Sequence, residues 1–144
     1  MSPASNGTVT AADYPLSGRR PELLRTPSGK TLDDITLEAV LDKTVTDDDL
    51  RITPETLELQ AQIAEQTERP QMAENLRRAG ELTRVPDERL LEIYNSLRPG
   101  ASSKEQLLSI AEELEGQFQA PVNAALVREA ADVYERRDCL AADD

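Results

Sequence analysis

The chain has 144 residues, of which 38% are hydrophobic, and it contains one Phe, three Tyr and no Trp. This length allows one domain whose core, built from Leu, Ile, Val and Ala, is thin enough to favour stabilisation by a partner. The formal charge of −12 argues against binding to nucleic acids or anionic membranes, because both depend on Lys and Arg.

Metal and covalent chemistry have few candidate residues. The sequence has no His and one cysteine, Cys139, so the usual ligands of zinc, haem and iron–sulfur clusters are missing and no internal disulfide can form. A carboxylate site for a hard cation remains open. However, residues 47–49, three consecutive Asp, lack the spacing of a calcium loop and are more typical of a solvated helix start. The Cys139 thiol follows two arginines, a setting that favours thiol reactivity, but we interpret it as a bystander.

The N-terminal quarter has no helical periodicity. Residues 1–12 are small and polar, which predicts a disordered tail. Residues 13–35 contain three prolines, which oppose a regular helix and favour extended backbone. The same stretch carries apolar side chains that would suit an arm wrapping a partner subunit, with a floppy tail as the alternative: Tyr14, Leu16, Leu23 and Leu24.

Gly29, Lys30 and Thr31 have the ending of a phosphate-binding loop. That motif also needs a glycine at the position of Leu24, and it needs a strand before the loop. The preceding residues are irregular, so we predict a turn within the arm and no nucleotide site.

The helical spacing of apolar residues predicts a helical domain at 36–140, followed by a short tail at 141–144. The patterns give about five to six helices, near 36–42, after Thr53, over 71–83, over 86–98, from Ser102 to Phe118, and from Pro121 toward Leu140. Ser102 with Glu105 forms a capping-box pattern. The apolar band of the last helix is wider than one neighbour would cover, so the helix is either central or shares its outer edge with another chain. The fold class is all-α.

The carboxylates do not form a recognisable acid–base pair. Glu112, Glu113 and Glu115 are placed opposite the apolar stripe of their helix, where we expect solvation. Arg77, Arg78, Glu74 and Glu81 have the spacing of surface pairs on one helix. Without histidine the commonest activating base is also missing. We therefore predict no catalytic, cofactor-binding or metal-binding residue in this chain.

Several blocks of the sequence resemble the small subunit of adenosylcobalamin-dependent diol and glycerol dehydratases. The most specific block is residues 86–99, and the others occur in the family's order and spacing at 13–16, 29–38, 51–58, 60–64, 75–82 and 127–130. The similarity covers about residues 13–138. Pro70 and Gly100 depart from the family pattern and would sharpen one helix break and loosen one connection.

The resemblance implies a subunit of a hydro-lyase. In this family a large and a medium subunit join the small one, and two such trios are expected to form the complex. The other subunits bind adenosylcobalamin, and a radical dehydration converts 1,2-propanediol or glycerol to the aldehyde. The small subunit, inactive alone, would stabilise the large subunit and the assembly. Which substrate is preferred stays open.

The expected location follows from what the sequence lacks. We expect a cytoplasmic protein with no membrane span, because the chain has no signal peptide and no apolar run of about 18 residues. A microcompartment location is not supported by the short, polar N-terminus.

Two other classes of function remain as alternatives to a dehydratase subunit. One is an unrelated acidic helical adaptor, expected to be a stable monomer, and the other is a stand-alone enzyme with a carboxylate site.

Overall fold

The computed structural model describes residues 7–142, which contain helices and turns but no strand. This confirms the predicted all-α class. The α-helices are α1 (Leu16–Arg19), α2 (Leu37–Leu41), α3 (Pro54–Gln66), α4 (Pro70–Leu82), α5 (Asp87–Ser96), α6 (Lys104–Gly116) and α7 (Pro121–Arg136). Single 3-10 turns occupy Ala11–Asp13, Pro21–Leu23, Leu32–Asp34 and Asp47–Leu50. The chain divides into two compact units, Met1–Gly80 and Glu81–Asp144.

Helix α3 organises the first unit. The Thr53 hydroxyl accepts a hydrogen bond from the Thr56 amide at 3.2 Å, and Pro54 occupies the first turn. This is the start that the sequence predicts. One side of α3 packs Leu59 and Ile63 against the N-terminal segment, and another packs small residues against α4. Helix α4 begins at Pro70, since proline suits a first helical position.

The segment before α1 has more structure than its composition predicts. Val9 is fully buried against α3. Its backbone N–H donates to Gln62 at 3.0 Å, and its carbonyl accepts from Gln66 at 2.9 Å. Residues 7–12 therefore differ from the expected disordered tail, because one valine and two glutamines far along the chain fix them. The rest of that predicted tail, residues 1–6, lies outside the described residues, as do residues 143–144 of the predicted C-terminal tail.

Residues 13–35 form single turns instead of one continuous extended strand. Pro15 precedes α1, and Pro21 opens a 3-10 turn, both positions where a missing N–H is tolerated. Leu16 is buried and packs on α3, whereas Tyr14 is 68% exposed. The turn predicted at Gly29 is present, since Gly29 has φ +87° and the Thr26 amide donates to the Lys30 carbonyl at 3.0 Å.

The second unit is built on α6 and α7. The apolar stripe predicted on α6 is buried at Leu107, Ala111 and Leu114. These residues share one core cluster with Ala124, Val127 and Ala131 of α7 and with Val85 and Ile93. The phenolic hydroxyl of Tyr134 donates to the Leu97 carbonyl at 2.5 Å. Small residues on α7 allow close contact with α6, which is why few aromatics suffice.

Two predicted helix ends were wrong. Ser103, not Ser102, caps α6, because its hydroxyl accepts from the Gln106 amide at 3.2 Å. Ser102 is buried instead and donates to the Ser96 carbonyl at 2.8 Å, so the connection from α5 sets the register. Helix α7 ends at Arg136 and not near residue 140, since Asp138 adopts a positive φ of 53°.

Candidate interaction surface

Asp49 is the one charged side chain that is buried among residues 7–142. One carboxylate oxygen accepts hydrogen bonds from the hydroxyls of Ser28 and of Thr26, the latter at 3.1 Å. The other accepts from the Lys30 ammonium at 3.1 Å and the Thr46 amide at 3.0 Å. These bonds, led by that from Ser28, hold the pKa of Asp49 well below its usual range.

This arrangement corrects the interpretation of residues 47–49. Asp47 and Asp48 are exposed, as expected for a solvated helix start, but Asp49 is buried. We call Asp49 and its four hydrogen-bond donors the Asp49 hub. It ties the turn at residues 26–30 to the 3-10 turn at Asp47–Leu50. Lys30, the residue that suggested a phosphate loop, is therefore paired with a carboxylate.

A local sequence pattern marks the turn that contains Asp49. Thr46 and Asp49 form a reciprocal capping box, and the same Thr-x-x-Asp pattern caps two other 3-10 turns at Thr10–Asp13 and Thr31–Asp34. The backbone hydrogen bond from the threonine is the first cause of the lowered pKa of Asp13 and of Asp34. The pattern predicts the turns but not which aspartate is buried.

Two arginines pair with glutamates on other helices, which corrects two expectations. Arg77 bridges to Glu58 and Glu65 of α3, so it is not paired only along its own helix. Arg89 binds Glu113 through two nitrogens at 2.9 and 2.5 Å, so Glu113 is partnered and not simply solvated. The Cys139 thiol, which is half-buried, hydrogen-bonds the Arg137 carbonyl at 3.4 Å.

Glu81 caps α7 from α4, a role that its spacing did not predict. Its carboxylate accepts from the Val122 amide at 3.1 Å, the Asn123 amide at 3.0 Å and the Asn123 side chain at 2.7 Å. Ala120, the residue preceding Pro121, has no side chain that can cap the helix.

Because Glu81 supplies the cap, we expect Glu81→Ala to lower the free energy of unfolding by about 0.5–2 kcal/mol, the usual cost of a lost helix cap. Urea denaturation would measure it. Glu74→Ala, an exposed position on the same helix, is the matched control. Equal stability of the two variants would contradict the capping role.

The first unit exposes many large apolar side chains that its own core does not cover. In α2 no residue is buried, and Leu37, Val40 and Leu41 are 76%, 49% and 74% exposed. Leu32, Leu50 and Ile52 are also exposed and line a groove of about 240 Å³ together with Leu24 and Ile35. A second groove, of about 650 Å³, lies between α1, α3 and α4 and includes Tyr14 and Met72.

The second unit exposes fewer large apolar residues. Leu91 and Tyr94 on α5 are 64% and 61% exposed. On α7 the predicted wide band divides, because Ala124, Val127 and Ala131 are buried whereas Val122 and Leu126 are 40% and 44% exposed. The outer edge of α7 is therefore uncovered in this chain.

Two absences hold across the described part of the chain. No cluster of three or more His, Cys, Asp or Glu side chains is placed to hold a metal ion. No helix there is both long enough and apolar enough to span a membrane.

Comparison with known proteins gives one consistent result. The chain is 55% identical to the propanediol dehydratase small subunit of Salmonella typhimurium (strain LT2), over 99% of this chain and 84% of that protein. It is 53% identical to the propanediol dehydratase small subunit of Citrobacter freundii, over 98% of this chain and 82% of that protein. Residues 9–141 match the family described as dehydratase small subunit. The chain therefore belongs to the dehydratase small-subunit family.

Proposed function

We propose that this chain is a non-catalytic small subunit of a cobalamin-dependent diol or glycerol dehydratase, and that it stabilises the large subunit and the assembly. The observation that carries the proposal is the 55% identity over nearly the whole chain to a propanediol dehydratase small subunit. The complex would convert 1,2-propanediol or glycerol to the aldehyde by radical dehydration. Its location would be cytoplasmic.

Adenosylcobalamin, which supplies the radical when bound, is assigned to the other subunits. This chain offers no histidine, the side chain that most often coordinates metals, to the cobalt ion. Its single thiol already hydrogen-bonds a backbone carbonyl. We derive no catalytic step from this chain.

The partners in this proposal are a large and a medium subunit, arranged as a dimer of heterotrimers. The domain organisation assigned from the sequence, an arm at 13–35 and a helical domain at 36–140, is part of the same proposal. Three of the arm's four apolar anchors, Leu16, Leu23 and Leu24, pack within this chain. Tyr14, at 68% exposure, is the anchor that stays available to another subunit.

Co-expression of the tagged chain with the large and medium subunits tests the assembly role. We expect all three to co-purify and to elute together from a size-exclusion column. A folded chain that elutes alone would contradict the proposal and favour an independent acidic adaptor.

A further inference from the structure

Helix α2 is held by hydrogen bonds near its two ends, and none of its side chains is buried. Its first turn is capped by Thr36, whose hydroxyl accepts from the Ala39 amide at 3.1 Å. After its end, the buried Val45 donates its amide to the Ala39 carbonyl at 2.9 Å. A helix of five residues is too short to be stable in water without tertiary contacts. Its apolar side chains nevertheless contribute little to this chain's own core.

The apolar surface extends along the chain on both sides of α2. Six large apolar side chains within residues 32–52 are at least 44% exposed: Leu32, Leu37, Val40, Leu41, Leu50 and Ile52. Isolated exposed apolar residues are ordinary, but this density in one segment is typical of an interaction site. By contrast, most apolar residues of the arm pack against α3.

The charge of this segment defines the chemistry of its partner. Residues 31–52 contain seven acidic and two basic side chains. Asp49 is paired with Lys30, whereas Asp33, Glu38, Asp42, Asp47 and Asp48 are exposed. An apolar surface with a carboxylate rim is complementary to an apolar cleft with Lys and Arg at its edge.

The Asp49 hub makes part of this surface rigid. It joins the turns at residues 26–30 and 46–50, and both turns contribute to the lining of the 240 Å³ groove. Ordering these turns before binding lowers the entropy cost of association. The groove formed by Leu32, Leu50 and Ile52 is therefore present before any partner arrives.

We propose that residues 32–52 are the surface by which this chain docks into an apolar cleft, rimmed by Lys and Arg side chains, on the large subunit of the dehydratase. This rests on the proposed function. Leu37 and Leu41 are the apolar anchors, and the surrounding carboxylates steer the encounter.

The test combines Leu37→Asp with Leu41→Asp in the co-expressed complex. Both side chains are about three-quarters exposed, so the isolated variant should keep the circular dichroism and the Tm of the wild type. We expect co-purified large subunit to fall by about tenfold or more, as for loss of an interface anchor. Leu91→Asp, at an exposed position in the second unit, is the matched control and should co-purify normally.

The outcomes separate this inference from the proposed function. If the wild type does not co-purify, the proposed function itself fails. If the wild type co-purifies and the double variant does so equally well, docking by residues 32–52 is overturned. Equal loss in Leu91→Asp would also overturn it. A wild-type homodimer that the double variant converts to monomer would overturn it in favour of a second copy of this chain.

A salt series tests the charged rim with the same complex. We expect Asp33→Asn combined with Asp47→Asn to associate more slowly at low salt and to lose part of the salt dependence of the wild type. An association rate that is unchanged at every salt concentration would overturn the basic rim of the cleft.

Discussion

Leu107→Ala is expected to lower the free energy of unfolding by about 2–5 kcal/mol, the range for truncating a buried leucine. Leu107 is fully buried and belongs to the cluster that joins α6 to α7. Its removal eliminates apolar contacts and leaves a cavity that neighbouring helices close only in part. The α7 residues buried in that cluster are Ala124, Val127 and Ala131, whose short side chains cannot extend far into the space.

Urea denaturation followed by circular dichroism would measure this loss. Leu91→Ala is the control, because Leu91 lies on α5 at 64% exposure, and surface truncations usually change stability by less than about 0.5 kcal/mol. A cost below about 1 kcal/mol for Leu107→Ala would show that α6 and α7 do not form the core described above.

Asp49→Asn is the second change from which we expect a large effect, a clear fall in Tm. Each Asp49 oxygen accepts two hydrogen bonds, from Thr26 and Ser28 on one side and from Lys30 and Thr46 on the other. Asparagine has one acceptor oxygen, so its amide nitrogen would face donors at the other position. It would also leave the Lys30 ammonium without its carboxylate.

The pH dependence of the Tm difference between wild type and Asp49→Asn gives a sharper test. The pKa of Asp49 is lowered in the folded chain, so its stabilisation is complete above the ordinary carboxyl pKa of about 3.9 and is lost as the pH falls below it. The Tm difference between wild type and Asp49→Asn should stay constant from about pH 8 to 5 and shrink below about pH 4. Asp48→Asn, an exposed neighbour, should show only a small difference throughout.

A wild-type advantage that already shrinks well above pH 4 would contradict the lowered pKa. If Asp49→Asn and the wild type have equal Tm values at neutral pH, the hydrogen bonds of Asp49 do not stabilise the chain as described.

Helix positions were predictable where the signal is local. Thr53 and Pro54 mark the start of α3 within adjacent residues, and the spacing of Leu107, Ala111 and Leu114 places one face of α6 in the core. Such signals depend on helix caps and on the helical period, which act within a few residues. Ser102 and Ser103 show the limit, because both have a capping partner three residues on and only burial distinguishes them.

The contacts that the sequence did not predict are long-range. Val9 is fixed by Gln62, 53 positions away, and Glu81 caps a helix through Asn123, 42 positions away. No local pattern encodes those pairs. Helix α2 shows a related limit, since the spacing of Leu37, Val40 and Leu41 correctly predicts a shared face, but not that the face is exposed.

Family membership could be predicted because it depends on many short blocks in order, and the comparisons confirm it. The interaction surface could not be predicted in this way. It requires knowing which apolar residues the chain's own core leaves uncovered.

The central claim is that this chain is a small subunit that the dehydratase needs for assembly, and one activity measurement tests it most directly. The large and medium subunits would be purified with and without this chain and assayed for adenosylcobalamin-dependent formation of aldehyde from 1,2-propanediol and from glycerol. We predict activity in the complex that contains the chain and a marked loss of stable, active complex without it. Equal activity and equal complex size in its absence would contradict the account.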